Sequence, residues 1–184
     1  MAKRPWRVHR EIEVPYTRVS YNKDLNKIPG APTPKVRLFF MGNKDRNPED
    51  WKYSAHLISL LRIQVSDHAL EAVRTNILKY LEKEVKNFLF LIRKFPHHVV
   101  REHPIAYGAG ADRISQGMRL SFGKPTYRAV QLDYKDVLLS IYFDSDVFIS
   151  RMKEYLRIAR NKLPGKYLEY VGPNIPVEEI LNRI

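Results

Sequence analysis

The 184-residue chain has no cysteine. That excludes structural disulfides, thiolate-held metal and a cysteine nucleophile together, and it fits a reduced, cytoplasmic setting. No apolar run approaches the roughly 20 residues that a membrane-spanning helix needs. The opening "MAKRPWRVHR" is basic but lacks the apolar stretch of a secretory signal, so no membrane partner is expected. Glutamine is scarce, with three in the chain, which together with the missing cysteine leans towards a heat-adapted source. Acid is the remaining shortage. Twenty Asp and Glu face 32 Lys and Arg, leaving a formal charge of +12 and a pI near 9.9. An excess of that size asks for a polyanion, most often nucleic acid.

The excess is concentrated. Residues 1–46 hold eleven Lys and Arg against four acids. Prolines at 5, 15, 29, 32 and 34 break this stretch, and "IPGAPTP" resists both helix and central strand. Arg4, Arg7, Arg10 and Arg18 alternate with Trp6, His9, Tyr16 and Tyr21. Such a segment reads as a basic, Pro-rich arm (1–34) in which Arg forks meet phosphates and flat rings stack on splayed bases or pack on the domain.

The folded part reads as one α+β domain over 35–170, with 171–184 as a tail. "KVRLFF" (35–40) and "YSAHLISLLRI" (53–63) each have strand character. A helix starts at Ser66 or Asp67, with Leu70, Val73, Ile77, Leu81 and Val85 on one face. "FLFLIRKF" (88–95) and "HHVVRE" (97–102) are extended. "YRAVQLD" (127–133) and "VLLSIYF" (137–143) read as a hairpin. A second helix follows Asp144–Asp146, burying Phe148, Met152, Tyr155, Leu156, Ala159 and Leu163, and stops at Pro164-Gly165. "KYLEYV" adds a strand and "PVEEILNRI" a short terminal helix. Strands outnumber helices and do not alternate with them, which favours a mixed or antiparallel sheet with two amphipathic helices.

The chemistry concentrates in "YGAGADRISQGMRLSFGKP" (107–125). Gly108 and Gly110 begin a dinucleotide fingerprint, but Arg113 stands where its third glycine belongs. Lys124 is followed by Pro125 rather than a magnesium-holding Ser or Thr, and Met118 occupies the first-glycine position of a P-loop. Both nucleotide-cofactor motifs fail, so no cofactor is expected. His97, His98, Glu102 and His103 cluster in sequence, yet adjacent strand residues face opposite ways, so no metal site is expected either. No triad or nucleophile elbow is recognisable. What remains is phosphate chemistry. Arg101, Arg113, Arg119, Lys124 and Arg128 recur at intervals, among glycines that let backbone approach closely.

These residues also carry a resemblance. "GAGADRISQGMRLSFGKP" (108–125) closely resembles the signature of the large-subunit ribosomal protein of universal family sixteen, called ten-e in archaea and eukaryotes and sixteen-p in bacteria. "PHHVVREH" (96–103), "HALEAVR" (68–74), "RPWRVHR" (4–10), "IPGAP" (28–32) and "LPG" (163–165) are similar to its other landmarks, and the archaeal form fits best. The sequence departs from the family at "TYRAVQL" after Pro125, where a Gly-Thr pair is common, and in the following "DYKDVLLSIYFDSD".

The resemblance implies a single α/β-hammerhead domain that binds large-subunit rRNA between the 5S RNA region and the peptidyl-transferase centre. It further implies a mobile loop at about 103–117 that reaches the A- and P-site tRNA ends, with neighbouring ribosomal proteins as partners and no catalytic residue. The implied rRNA contacts of the arm are Lys3, Arg4, Trp6, Arg7, Arg10 and Arg18. Those of the loop and its flanks are Arg101, His103, Tyr107, Gly108, Gly110, Asp112, Arg113, Gln116, Arg119, Lys124 and Arg128. Two rival readings are an RNA-acting enzyme, such as a tRNA-modifying protein using Asp112 or the 97–103 histidines, and a basic adaptor for acidic proteins.

Overall fold

The computed structural model describes residues 12, 16–17, 22, 24–25, 28–102 and 123–182. In chain order these form β1 (Phe40–Gly42), β2 (Tyr53–Ser59), β3 (Ile63–Ser66), α1 (Asp67–Glu84), β4 (Phe88–Ile92), β5 (His98–Glu102), β6 (Lys124–Leu132), β7 (Val137–Phe143), α2 (Ile149–Asn161), β8 (Tyr167–Pro173) and α3 (Val177–Asn182). Short 3-10 turns sit at Pro48–Asp50 and Asp146–Phe148.

Two antiparallel sheets organise the strands, where the sequence pointed to one. Five strands run in the order β1-β4-β7-β2-β8 and three in the order β3-β6-β5. A single buried cluster joins them. It takes Ala55, Leu57, Phe90, Leu139 and Ile141 from the larger sheet, Ile63, Val65, Val130 and Leu132 from the smaller, and the inner stripes of α1 and α2. Both helices form as their periodicity requires. Ser66 caps α1 by accepting from the Ala69 amide at 3.3 Å, and Leu70, Val73, Ile77 and Leu81 are all buried. Met152, Tyr155, Leu156 and Ala159 are the buried face of α2, whose Tyr155 stacks on Tyr80 of α1 at 5.5 Å. After α2 the chain turns at Gly165, with φ +91°, where an added Cβ would lie 2.6 Å from Ile63 Cδ1.

Three strand expectations are corrected, and two of the corrections share one cause. The 53–63 run is not one strand: it ends at Ser59 and resumes at Ile63 in the other sheet. Ser59 makes the break, its hydroxyl donating to the Leu61 carbonyl at 2.8 Å while Leu60 bonds to Lys166 and Leu61 is left exposed. Nor do 127–133 and 137–143 pair as a hairpin. β6 pairs with β3 and β5, whereas β7 pairs with β2 and β4. The turn between them exists, held by Asp133 N donating to Asp136 Oδ2 at 2.9 Å with Lys135 at φ 66°, but it hands the chain from one sheet to the other.

The 35–40 run joins the larger sheet only at its end, where Phe40 pairs with Leu91 and the Phe39 carbonyl accepts from Ile92 N at 2.9 Å. Lys35 N donates to the Asp67 carboxylate at 3.1 Å, which draws this segment past the start of α1 instead of along the sheet.

Candidate nucleic-acid interface

The smaller sheet positions the glycine- and arginine-rich segment. β5 and β6 are paired antiparallel up to Glu102 opposite Lys124, so the chain leaves the sheet after Glu102 and returns next to its own departure point. The register shifts between Val100 and Arg101, a bulge that twists the end of the stem. Arg101 closes it. Its Nη1 donates to the Gly123 carbonyl at 2.8 Å, and its Nη2 donates to the Tyr16 hydroxyl at 2.5 Å. The excursion itself, with His103, Tyr107, Gly108, Gly110, Asp112, Arg113, Gln116 and Arg119, lies outside the described residues. So do Lys3, Arg4, Trp6, Arg7, Arg10 and Arg18 of the arm.

Three of the loop-and-flank candidates are described, and they differ in what they are free to do. Lys124 is exposed and makes no ion pair among the described residues. Arg128 is half-buried and its Nε donates to the Pro32 carbonyl at 2.7 Å, tying the segment before β1 onto the smaller sheet. Arg101 holds the stem together as just described. Arginines in such positions supply internal order before they supply any contact to a partner.

Besides Pro32, the arm meets the smaller sheet at Tyr16. Val99 N donates to the Tyr16 carbonyl at 2.9 Å, and Tyr16 N donates to His98 Nδ1 at 3.0 Å. Tyr16 therefore continues the sheet beyond β5 by one residue. His98 is buried with Nδ1 acting as an acceptor, while His97 is exposed, so the two rings diverge as strand alternation requires.

A second cationic feature had no counterpart in the sequence reading. Arg93, just after β4, is exposed, yet it is pinned at two points on the face of the larger sheet away from α1 and α2. Nε donates to Ser140 Oγ at 2.6 Å and Nη2 to the Tyr142 hydroxyl at 2.6 Å. Behind it Ser140 Oγ lies 2.8 Å from His56 Nδ1. His56 is fully buried; burial first, and the Arg93 charge second, push its pKa down to about 4. The imidazole is thus neutral at physiological pH and adds no repulsion to Arg93. The one signal in the sequence was "RKFPHH", a cation pair running into aromatic rings between two strands.

Comparison with known proteins accounts for these features together. Residues 16–168 match the family model described as "Ribosomal protein L16p/L10e". The chain is 52% identical over 171 residues to "Large ribosomal subunit protein uL16" of Nanoarchaeum equitans, covering 91% of this chain and 92% of that protein. It is 42% identical to the protein of the same name from Archaeoglobus fulgidus (89% and 90% covered) and 41% identical to that from Sulfolobus acidocaldarius (89% and 90%). A two-stranded stem that brings the ends of the glycine- and arginine-rich segment together, Tyr16 bonded to its edge strand and these matches agree: the chain belongs to the L16p/L10e family of ribosomal proteins, in its archaeal form, and is a structural protein rather than an enzyme.

Proposed function

We propose that the protein is a constituent of the large ribosomal subunit in the cytoplasm, binding rRNA through its arm and through the excursion between β5 and β6. The observation that carries this reading is the stem: Arg101 and the Glu102–Lys124 pairing bring the two ends of 103–122 side by side on the smaller sheet, next to the exposed Lys124. Family membership and the +12 charge support it. In this mechanism Lys3, Arg4, Arg7, Arg10 and Arg18 of the arm, with Trp6, and Arg113, Arg119 and Lys124 of the excursion and its flank neutralise phosphates at crowded RNA junctions. Arg101 and Arg128 act by holding those segments in place.

The finer placement, near the 5S RNA region and the peptidyl-transferase centre, belongs to the same proposal. There His103, Tyr107, Gly108, Gly110, Asp112 and Gln116 approach the acceptor ends of A- and P-site tRNA, and neighbouring ribosomal proteins complete the surroundings. The test is titration of the purified chain into large-subunit rRNA across a range of salt. Six phosphate contacts on single-stranded RNA give a log–log slope of about −4. A slope near zero, or failure to sediment with large subunits, would overturn the reading.

A further inference from the structure

The chain crosses between the two sheets four times, once through α1 and otherwise by short connections at 60–62, 93–97 and 133–136. Along this seam lies a cleft of about 540 Å³ whose lining includes Arg93, Lys94, Phe95, His97, Gln131 and Asp133. That volume falls within the roughly 300–1,000 Å³ of sites that hold a compact organic ligand.

The charges around it are unevenly matched. Asp133 faces Arg62 at 3.0 Å, and Asp136 faces Lys94 at 2.7 Å, so both neighbouring acids are neutralised. Arg93 has no carboxylate partner among the described residues. Its fork is instead fixed by Ser140 and Tyr142, which leaves its Nη1 edge without a protein acceptor among the described residues. A cation that is exposed, immobilised and unneutralised is organised for an anion before any arrives.

An aromatic surface of tilted rings stands on the same connection. The Phe95 ring is 38% exposed, and its centroid lies 4.7 Å from that of His97 and 5.3 Å from that of Phe39. An exposed aromatic pair two to four residues from a pinned arginine matches the repeating chemistry of a single-stranded RNA chain, one phosphate and one π-face per nucleotide.

We propose that this cleft receives one nucleotide extruded from ribosomal RNA, its phosphate on Arg93 and its base against Phe95 and His97. The proposal rests on the ribosomal reading above; the cleft borders the arm at Thr17 and β5 at His98, but Arg93 and Phe95 belong to neither the arm nor the β5–β6 connection. The buried His56–Ser140 pair behind Arg93 acts as its positioning support.

The test is filter binding of the full-length chain to a large-subunit rRNA transcript, with Arg93→Gln, Phe95→Ala and the double variant. Lys79→Gln on the exposed side of α1 serves as a matched loss of charge. Phe95→Ala should weaken binding about tenfold with an unchanged salt slope. Arg93→Gln should make the slope shallower by about 0.7, more than Lys79→Gln does. The double variant should lose less than the product of the single losses, because both side chains hold the same nucleotide. Phe95 is already exposed, so its truncation tests the site even where Arg93→Gln perturbs the sheet. If wild type binds and both cleft variants bind equally well, the cleft proposal is overturned alone. If wild type itself ignores the transcript, the ribosomal reading falls and takes the cleft with it.

Discussion

Arg101 lies with its guanidinium carbon 5.0 Å from the centre of the Tyr16 ring while its Nη2 donates to that ring's hydroxyl. A residue of the arm and a residue of the loop stem are thereby joined, 85 positions apart in sequence. The two segments of the proposed RNA surface are one mechanical unit at this point, and the first prediction follows from it.

Tyr16→Phe deletes the hydroxyl acceptor but keeps the ring. Hydrogen bonds to charged groups contribute about 1.5–3 kcal/mol. Denaturant unfolding should accordingly register a loss near the lower end of that range, since the site is half-buried. The salt slope of RNA binding should stay at the wild-type value, because no cation has been removed. An unaltered midpoint would mean that the bond does not contribute to the fold.

Lys124 and Arg128 sit on the same strand and should separate cleanly. Lys124→Ala removes an exposed charge, so stability should move by less than about 0.5 kcal/mol while the RNA salt slope becomes shallower by about 0.7. Arg128→Ala strips the Pro32 carbonyl of its donor and should cost about 1–2 kcal/mol of stability. Thermal melts beside filter binding would check both; equal stability losses in the two variants would contradict the assignment.

Two glycines with positive φ make a controlled comparison. At Gly42, φ +87°, a Cβ would collide with the Phe88 carbonyl oxygen across the β1–β4 pair. At Gly30, φ +72°, nothing lies within 4 Å. Gly30→Ala should cost only the left-handed backbone penalty of about 1–2 kcal/mol. Gly42→Ala adds displacement of backbone, bringing its total to about 3 kcal/mol or more. Similar melting temperatures for the two variants would refute the steric account.

Stability should also fall in mild acid through His56. Its folded pKa of about 4 lies below the unfolded value of 6.5, so the unfolded chain binds more protons between those limits. The contribution is complete above pH 6.5, declines as pH drops, and is gone below about 4. A gap of about 2.5 units at 1.36 kcal/mol each sets an upper bound of about 3 kcal/mol. His56→Gln removes this dependence, so the difference in unfolding free energy between wild type and variant should shrink from pH 7 to pH 4.5. A constant difference over that window would rule the mechanism out.

The helices were legible because their signal is local. Leu70, Val73, Ile77 and Leu81 repeat at the helical period over about three turns, and each is buried where that period puts it. The family was legible in the 108–125 motif and its ordered flanking pieces. Sheet membership was not. Period-two alternation says that a segment is extended and which face it buries, but it carries no information about which strand lies alongside. So 127–133 and 137–143 looked like partners across a good turn, while β6 and β7 chose different sheets. The Arg93 cleft was hidden for the same reason, because its parts come from 93–97, 131–133 and the Ser140–Tyr142 stretch, brought together only where the sheets meet.

The linear chain by itself determined charge, helix positions and family, since each depends on residue identity or on spacing within a few turns. Tertiary structure decided which arginines are occupied and which are presented. Arg101 and Arg128 turn inward to carbonyl and hydroxyl acceptors, Lys124 faces solvent, and Arg93 is held ready by a serine and a tyrosine from another strand. A guanidinium's role depends on the acceptors around it, and those come from residues tens of positions away that only folding brings within hydrogen-bond distance.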